Sequence, residues 1–412
     1  GVCKDCNIKF IGPKGSVIDA LGNKANARQM MINAGVPVIP GSDGILADVE
    51  QAYEMADKLG YPVIVKASAG GGGKGIRIVR KKEELKEAFL SAQSETKAAF
   101  GDDSMYMEKL IEGARHVEVQ ILGDSFGNVI HLGERDCSLQ RKNQKVLEET
   151  PCEVLSESTR AKICDSAVRA AKAAGYENAG TIEFLYDEDS DKYYFMEMNT
   201  RLQVEHPITE EVVGVDLVKE QLHVAGGEAL RFKQEDLFQR GHAIECRICA
   251  EDTENGFIPC PGIIRQLTEP NGIGVRIDSY VYEGYEIPLY YDPMIGKLIV
   301  WATNRQFAIE RMRRVLYEFK ITGLKTNISY LRRIMYAPAF VKGEYDTSFL
   351  SKYSRSLQRS NGENEEIENM AMIAAYVDYL FNLEENSPVR TTDSRPISRW
   401  REFGLQKGVL RI

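Results

Sequence analysis

Short apolar runs alternate along this chain with stretches in which apolar residues recur every three or four positions. That helical period predicts helices over residues 19–34, 49–59, 83–100, 159–174 and 307–318. Gly35, Gly60 and Gly175 stand where three of them should close, because a terminal left-handed residue is least strained as glycine. Residues 61–66 are apolar, lie between turn signals, and predict a strand. Residues 8–11 read as a short buried strand followed at once by Gly12-Pro13. A lone strand has no partners, so the chain is expected to begin partway through a larger fold. The alternation of strands and helices predicts an α/β protein.

Other segments alternate with a period of two. Over residues 193–205, read as one strand, the odd positions are Glu197, Asn199, Arg201, Gln203 and Glu205. The even positions are Met196, Met198, Thr200, Leu202 and Val204, and are mostly apolar. An ordinary solvent face would favour Lys and Thr; Asn, Arg and Gln between carboxylates point to a binding site. Residues 181–185 form a second strand carrying Glu183, across an expected hairpin that turns near 187–191. Facing carboxylates with Asn199 beside them are hard oxygen donors suited to Mg²⁺. In a third strand His116, Glu118 and Gln120 share one face, and Val117, Val119 and Ile121 the other. Read alone, His116 is an ordinary hydrogen-bonded histidine. A fourth strand over 243–249 puts Glu245 and Arg247 on one face, an arrangement also typical of a plain salt bridge.

Four successive glycines, Gly70 to Gly73, follow the 61–66 strand, flanked by Lys66 and Lys74. Ordering them is entropically costly, and the usual gain is close approach of backbone N–H groups to phosphate. Residues 76–79 resume a strand, so the loop joins two strands and does not open a helix as a Walker or Rossmann loop would. It reads as a glycine-rich hairpin over a nucleotide, with a flexible surface loop as the alternative. Arg141, Lys142 and Lys145 make a local positive patch in the donor-rich segment 134–145. That patch suits a small anionic ligand, and a solvated loop stands as an equal reading.

Composition narrows the class. At 412 residues the chain suggests two or three domains, and 43% hydrophobic with 27% charged residues is a soluble balance. A net charge of −9 argues against a dedicated nucleic-acid binder. No apolar run reaches the roughly 18 residues of a membrane span, and no signal-peptide pattern opens the chain. Two Cys-x-x-Cys pairs, Cys3/Cys6 and Cys246/Cys249, would together offer four thiolates to zinc. Ordinary thiols are preferred, because Cys246 and Cys249 have opposite parity in their strand; a chain of this size needs no disulfide framework, so a reducing compartment is expected, the cytoplasm or, in a eukaryote, the mitochondrial matrix. After about residue 354 the chain turns polar, then helical over 367–383, with Trp400 and Phe403 as candidates to dock the end.

The segments Phe10-Ile-Gly-Pro, Gly35-Val-Pro-Val-Ile-Pro-Gly-Ser-Asp-Gly44, Lys66 to Gly75, Gly133-Glu-Arg-Asp-Cys-Ser138 and Glu197-Met-Asn-Thr-Arg-Leu-Gln-Val-Glu-His-Pro207 together resemble the biotin carboxylases of the ATP-grasp superfamily. Glu245-Cys-Arg247 and Tyr291-Asp-Pro-Met-Ile-Gly-Lys297 extend the resemblance, which runs from about residue 8 to 353. It implies an α/β (α+β) ATP-grasp fold with a mobile glycine-rich lid and a C-terminal mixed α/β domain. The implied domains are a remnant of a nucleotide-fold domain (1–22), a lid with its lead-in helix (23–110), the core with the C-terminal domain (111–353), and a linker with a helical tail (354–412). The family's opening βαβ units and part of its dimer surface are expected to be missing, and Ile273 replaces an aromatic of some relatives there.

The resemblance also implies a reaction. ATP phosphorylates bicarbonate, and the resulting carboxyphosphate delivers CO₂ to the biotin N1′. Lys24, Lys66 and the lid glycines Gly71, Gly72 and Gly73 would hold ATP phosphates. Glu108, Lys109, Ile111 and Leu185 would border adenine, with His116 and Gln140 near the ribose. Glu183, Glu197 and Asn199 would bind Mg²⁺ or Mn²⁺. Lys145, Arg201, Gln203 and the Val204 backbone would bind bicarbonate, Glu205 would deprotonate it, and Arg247 would stabilise the biotin enolate. Implied partners are a biotin carboxyl carrier, a carboxyltransferase and a second copy of the chain, within an acyl-CoA carboxylase. A pyruvate carboxylase component, another ATP-grasp ligase and an inactive nucleotide-binding scaffold are the alternatives. The tail lacks a Met-Lys-Met biotinyl motif, so biotin is expected on another domain or protein.

Overall fold

The computed structural model describes residues 2–67, 75–357 and 370–379. Residues up to 357 belong to one unit, and residues 370–379, a single helix, to a second. Most of the 354–366 linker, the rest of the expected 367–383 helix, Trp400 and Phe403 lie outside the described residues. Residues 354–357 are not linker-like: they form a helical turn whose Leu357 is buried.

Two antiparallel sheets organise the first unit. The smaller holds β1 (Val63–Ala67), β2 (Ile76–Val79) and β3 (Met105–Lys109), in the order β2-β1-β3. Helix α4 (Leu85–Phe100) covers it, with Leu85, Phe89 and Ala92 against Val63, Val65 and Val79. The expected 49–59 helix is present as α3 (Val49–Leu59), capped by the Asp48 side chain and closed at Gly60.

The larger sheet has eight strands: β4 (Arg115–Gly123), β5 (Val129–Arg141), β6 (Gln144–Thr150), β7 (Asn178–Asp187), β8 (Lys192–Asn199), β9 (His242–Cys249), β10 (Val275–Ser279) and β11 (Met294–Ala302). Their order is β10-β11-β9-β6-β5-β4-β7-β8. Helix α5 (Glu157–Ala173) begins at Ser156, whose hydroxyl accepts the Thr159 N–H at 3.1 Å, and packs Ile163, Ala167 and Ala170 on Val117, Val119 and Ile121. Helices α8 (Arg305–Glu318) and α9 (Ile328–Tyr336) pack on Ile244, Ile248, Leu298 and Val300 to make a second core. Helices α6 (His206–Val213) and α7 (Leu217–Ala225) follow β8. No helix among the described residues is long and apolar enough to cross a membrane.

Three expectations change. Residues 8–10 have no regular structure, and Ile8 and Phe10 are 61% and 53% exposed, because no described strand pairs with them. The single helix expected over 19–34 is two, α1 (Gly15–Gly22) and α2 (Lys24–Asn33). Asn23 is extended between them and its side chain accepts the Asn26 N–H at 3.0 Å, a local bond that competes with helix continuation. The strand expected over 193–205 ends at Asn199, and residues 200–205 turn into α6. A short hairpin pairs Glu251–Asp252 antiparallel with Ile258–Pro259.

Candidate active site

Strand register assembles the polar residues. Glu183 lies opposite Glu197 across the β7–β8 hairpin and opposite Glu118 on its other side. Glu118 in turn lies opposite Arg135 of β5. Strands β5 and β6 are joined by Lys142-Asn143, both with positive φ (50° and 62°), the backbone of a tight hairpin whose twist matches its strands. That turn sets Gln140 opposite Lys145. The donor-rich segment is therefore mostly strand, and it delivers Lys145 into a buried cluster.

Lys145 Nζ donates to Glu118 and Glu205 and lies 3.2 Å from Glu183 Oε1. Arg247 Nη2 lies 2.9 Å from Glu205 Oε2 and 2.6 Å from Glu148 Oε1. Glu205 is 1% exposed, so its carboxylate sits between two cations and away from bulk water. Gln203 Nε2 donates to Glu183 Oε1 at 2.9 Å, and Asn199 Nδ2 donates to the same oxygen at 2.8 Å. Val204 presents its carbonyl to Lys297 Nζ at 3.2 Å. Arg201 is exposed; among the described residues it donates to the Leu202 carbonyl, at 3.3 Å, and does not contact this cluster. The parity that linked Arg201 with Gln203 and Glu205 fails because the strand ends first.

The electrostatics follow from burial and pairing. Glu183 is held down at about 2: burial opposes ionisation, but His116 and Lys145 outweigh it. His116 is held up at about 9, since Glu183 and Glu118 outweigh the cost of burying its charge. Its Nε2 lies 3.3 Å from Glu183 Oε2 and 3.6 Å from Glu118 Oε2, ion-pair distances without the alignment of a hydrogen bond. Its Nδ1 lies 3.0 Å from Gln140 Nε2. Glu148 pairs with Arg247 yet is pushed up to about 7, because burial and the nearby Glu205 exceed that attraction. Burial and Glu148 push Glu245 well above the carboxylate range.

On the small sheet Lys66 Nζ pairs with Glu108 Oε2 at 2.5 Å. Lys109 donates to the carbonyls of Gly60 (2.9 Å) and Tyr61 (3.1 Å). Ile111 is half-buried in the link to β4, and half-buried Leu185 lies opposite His116. The Lys24 side chain and Gly71, Gly72 and Gly73 lie outside the described residues. Glu183 and Glu197, opposed in register, offer the hard oxygen donors that a divalent ion requires.

Arg135, Glu148 and Lys297 were not singled out from the sequence. Arg135 is completely buried and donates to Glu118 (2.6 Å), Gln120 (2.8 Å), Thr209 (3.0 Å) and Gln203 (3.2 Å). Pairing β4 against β5 in register is the signal that would have found it.

The family models now settle the lineage. Residues 23–233 match the ATP-binding domain of the carbamoyl-phosphate synthase L chain, and residues 245–352 match the biotin carboxylase C-terminal domain. The chain belongs to the biotin carboxylase family. Biotin carboxylase 1 of Bacillus subtilis is 52% identical over 352 residues, covering 85% of this chain and 78% of the relative. A pyruvate carboxylase subunit of Methanothermobacter thermautotrophicus is 54% identical over 355 residues, covering 86% of this chain and 72% of the relative. The dimeric biotin carboxylase domain of Hydrogenobacter thermophilus 2-oxoglutarate carboxylase, solved with MgADP, ADP and bicarbonate, superposes with a TM-score of 0.83 at 48% identity, covering 87% of this chain and 79% of that one. Biotin carboxylases are ATP-dependent ligases that use Mg²⁺ and biotin, and this chain is one of them by family.

Proposed function

We propose that this chain carries out the ATP- and bicarbonate-dependent carboxylation of biotin N1′ on a carrier. The observation that carries the proposal is the buried Glu205 carboxylate between Lys145 and Arg247. Glu205 takes the bicarbonate proton, and the freed oxygen attacks the γ-phosphorus while ADP leaves. Carboxyphosphate then breaks to CO₂ and phosphate. Biotin N1′ gives up its proton to that phosphate and attacks CO₂, with the Arg247 guanidinium beside the developing enolate oxygen. Lys145, Gln203 and the Val204 backbone hold bicarbonate, and Arg201 joins them only after a side-chain movement. Glu183, Glu197 and Asn199 would hold Mg²⁺ or Mn²⁺, which supplies charge neutralisation at the phosphates. Lys24, Lys66 and the glycines Gly71, Gly72 and Gly73 of the 23–110 lid hold the nucleotide phosphates; Glu108, Lys109, Ile111 and Leu185 border the adenine; His116 and Gln140 approach the ribose.

Phosphate release from MgATP should require bicarbonate and rise with free biotin. A folded protein whose phosphate release ignores biotin would sink the proposal. The partners are a biotin carboxyl carrier, a carboxyltransferase and a second copy of this chain. The acceptor we propose is an acyl-CoA, on the likeness of Ser398-Arg-Trp400 to the connector of acyl-CoA carboxylase α-chains. Pyruvate is the second reading, favoured by the 54%-identical relative from a pyruvate carboxylase. Identifying the transferase that co-purifies with the chain decides between them.

A further inference from the structure

The segment that carries Glu205 is held from the far end of the sheet. Residues 200–205 have left β8 and pair with no strand among the described residues, so ladder hydrogen bonds do not fix them. Within the segment a long backbone bond runs from the His206 N–H to the Gln203 carbonyl, at 3.4 Å. The Val204 carbonyl, one peptide before the Glu205 side chain, accepts from Lys297 Nζ at 3.2 Å.

Lys297 is itself well placed to act as a strut. It lies on β11, in register with Arg247 of β9 on one side and Asp278 of β10 on the other. Its side chain is only 14% exposed, and its ammonium lies 3.3 Å from Asp278 Oδ2. Arg276 holds Asp278 through two bonds of 2.8 and 2.9 Å and reaches Glu210 of α6 at 2.7 Å. The row therefore ties β10, β11 and α6 to the peptide preceding Glu205. Among the described residues Glu245, fully buried on β9, has no hydrogen-bond partner at either oxygen, and it favours its neutral form, so it does not compete with Asp278 for the ammonium charge. A poorly solvated ammonium keeps the partners it has, because losing one leaves charge uncompensated.

We propose that Lys297, clamped by Asp278, is a positioning residue that fixes the Val204–Glu205 peptide and so holds the Glu205 carboxylate against Arg247 and Lys145. The inference rests on the reading of Glu205 as the base. Misplacing a reacting group by about 1 Å costs on the order of 10²-fold, so losing the strut acts on the bicarbonate step and leaves the nucleotide alone.

The test is steady-state kinetics of Lys297→Gln, Lys297→Arg and Asp278→Asn, with thermal unfolding as a check on folding. Lys297→Gln should raise the bicarbonate KM and lower kcat, each by about tenfold, with the MgATP KM within about twofold of the parent. Lys297→Arg keeps a long cationic donor and should recover most of both. Asp278→Asn frees the ammonium from its clamp and should raise the bicarbonate KM by a smaller factor; it decides the matter if Lys297→Gln does not fold. Unchanged bicarbonate kinetics in a folded Lys297→Gln, or in Asp278→Asn, would overturn the inference alone. So would an equal loss in the MgATP and bicarbonate KM values, which marks a general structural defect. A parent chain with no bicarbonate-dependent turnover would overturn the Glu205 reading and this inference with it.

Discussion

Strand β4 is buried on both faces, and the two faces are held by opposite chemistry. On one, Val117, Val119 and Ile121 pack against α5 through dispersion and loss of water contact. On the other, His116, Glu118 and Gln120 meet Arg135, Lys145 and Glu183. The apolar face is a sum of many small, roughly independent contacts, so a lost methyl costs its share. The polar face is all or nothing, because a charge deprived of its partner in a dry interior keeps its full desolvation cost. A protein that needs anions and cations placed to a fraction of an ångström accepts that fragility in return for order.

The comparison predicts a descending series of effects. Glu205→Gln keeps shape and burial but removes the base. It should lower bicarbonate-dependent phosphate release by about 10²–10⁴-fold, while calorimetry shows MgATP binding near that of the parent. Lost nucleotide affinity would contradict the assignment. Arg135→Met leaves Glu118 with Lys145 and the His116 imidazolium, which Glu183 shares, and should cost about 3–5 kcal/mol in urea unfolding. Glu118→Leu combined with Arg135→Met should recover part of that loss. A single-variant cost below about 1 kcal/mol would show that the polar face is no more fragile than the apolar one.

The pH dependence of stability separates the faces further. His116 is raised from an ordinary 6.5 to about 9, so its contribution is complete below pH 6.5 and is lost as pH rises through 9. Glu183 is lowered from 4.5 to about 2, so its contribution is complete above pH 4.5 and is lost as pH falls through 2. His116→Gln should flatten the decline of unfolding free energy between pH 6.5 and 9; an unchanged slope would rule out a buried imidazolium. The smallest effect belongs to the apolar face. Ile121→Val should cost about 0.5–1.5 kcal/mol with turnover unaltered, and a large kinetic effect there would mean that the two faces are coupled.

Much of the site was legible because period-two alternation survives wherever a strand has one polar and one apolar face. It placed Glu183 opposite Glu197, grouped His116 with Glu118 and Gln120, and put Glu245 with Arg247. It failed at Arg201, where the parity rule was carried past the end of β8 into a turn. It also failed at residues 19–34, where Asn23 satisfies a backbone N–H locally and splits the helix without interrupting the apolar pattern.

The sequence by itself determined most of the element types, the glycine closures at Gly35, Gly60 and Gly175 and the chemical class of the site. Those depend on contacts between residues a few positions apart. Only the tertiary structure decided that Arg135 lies beneath Glu118, that Lys145 bridges Glu118 and Glu205, and that Lys297 reaches Val204 from the far end of the sheet. Such pairs join residues distant in the chain through strand order and register. Those are set by burial of whole faces and leave no local trace in the side chains they bring together.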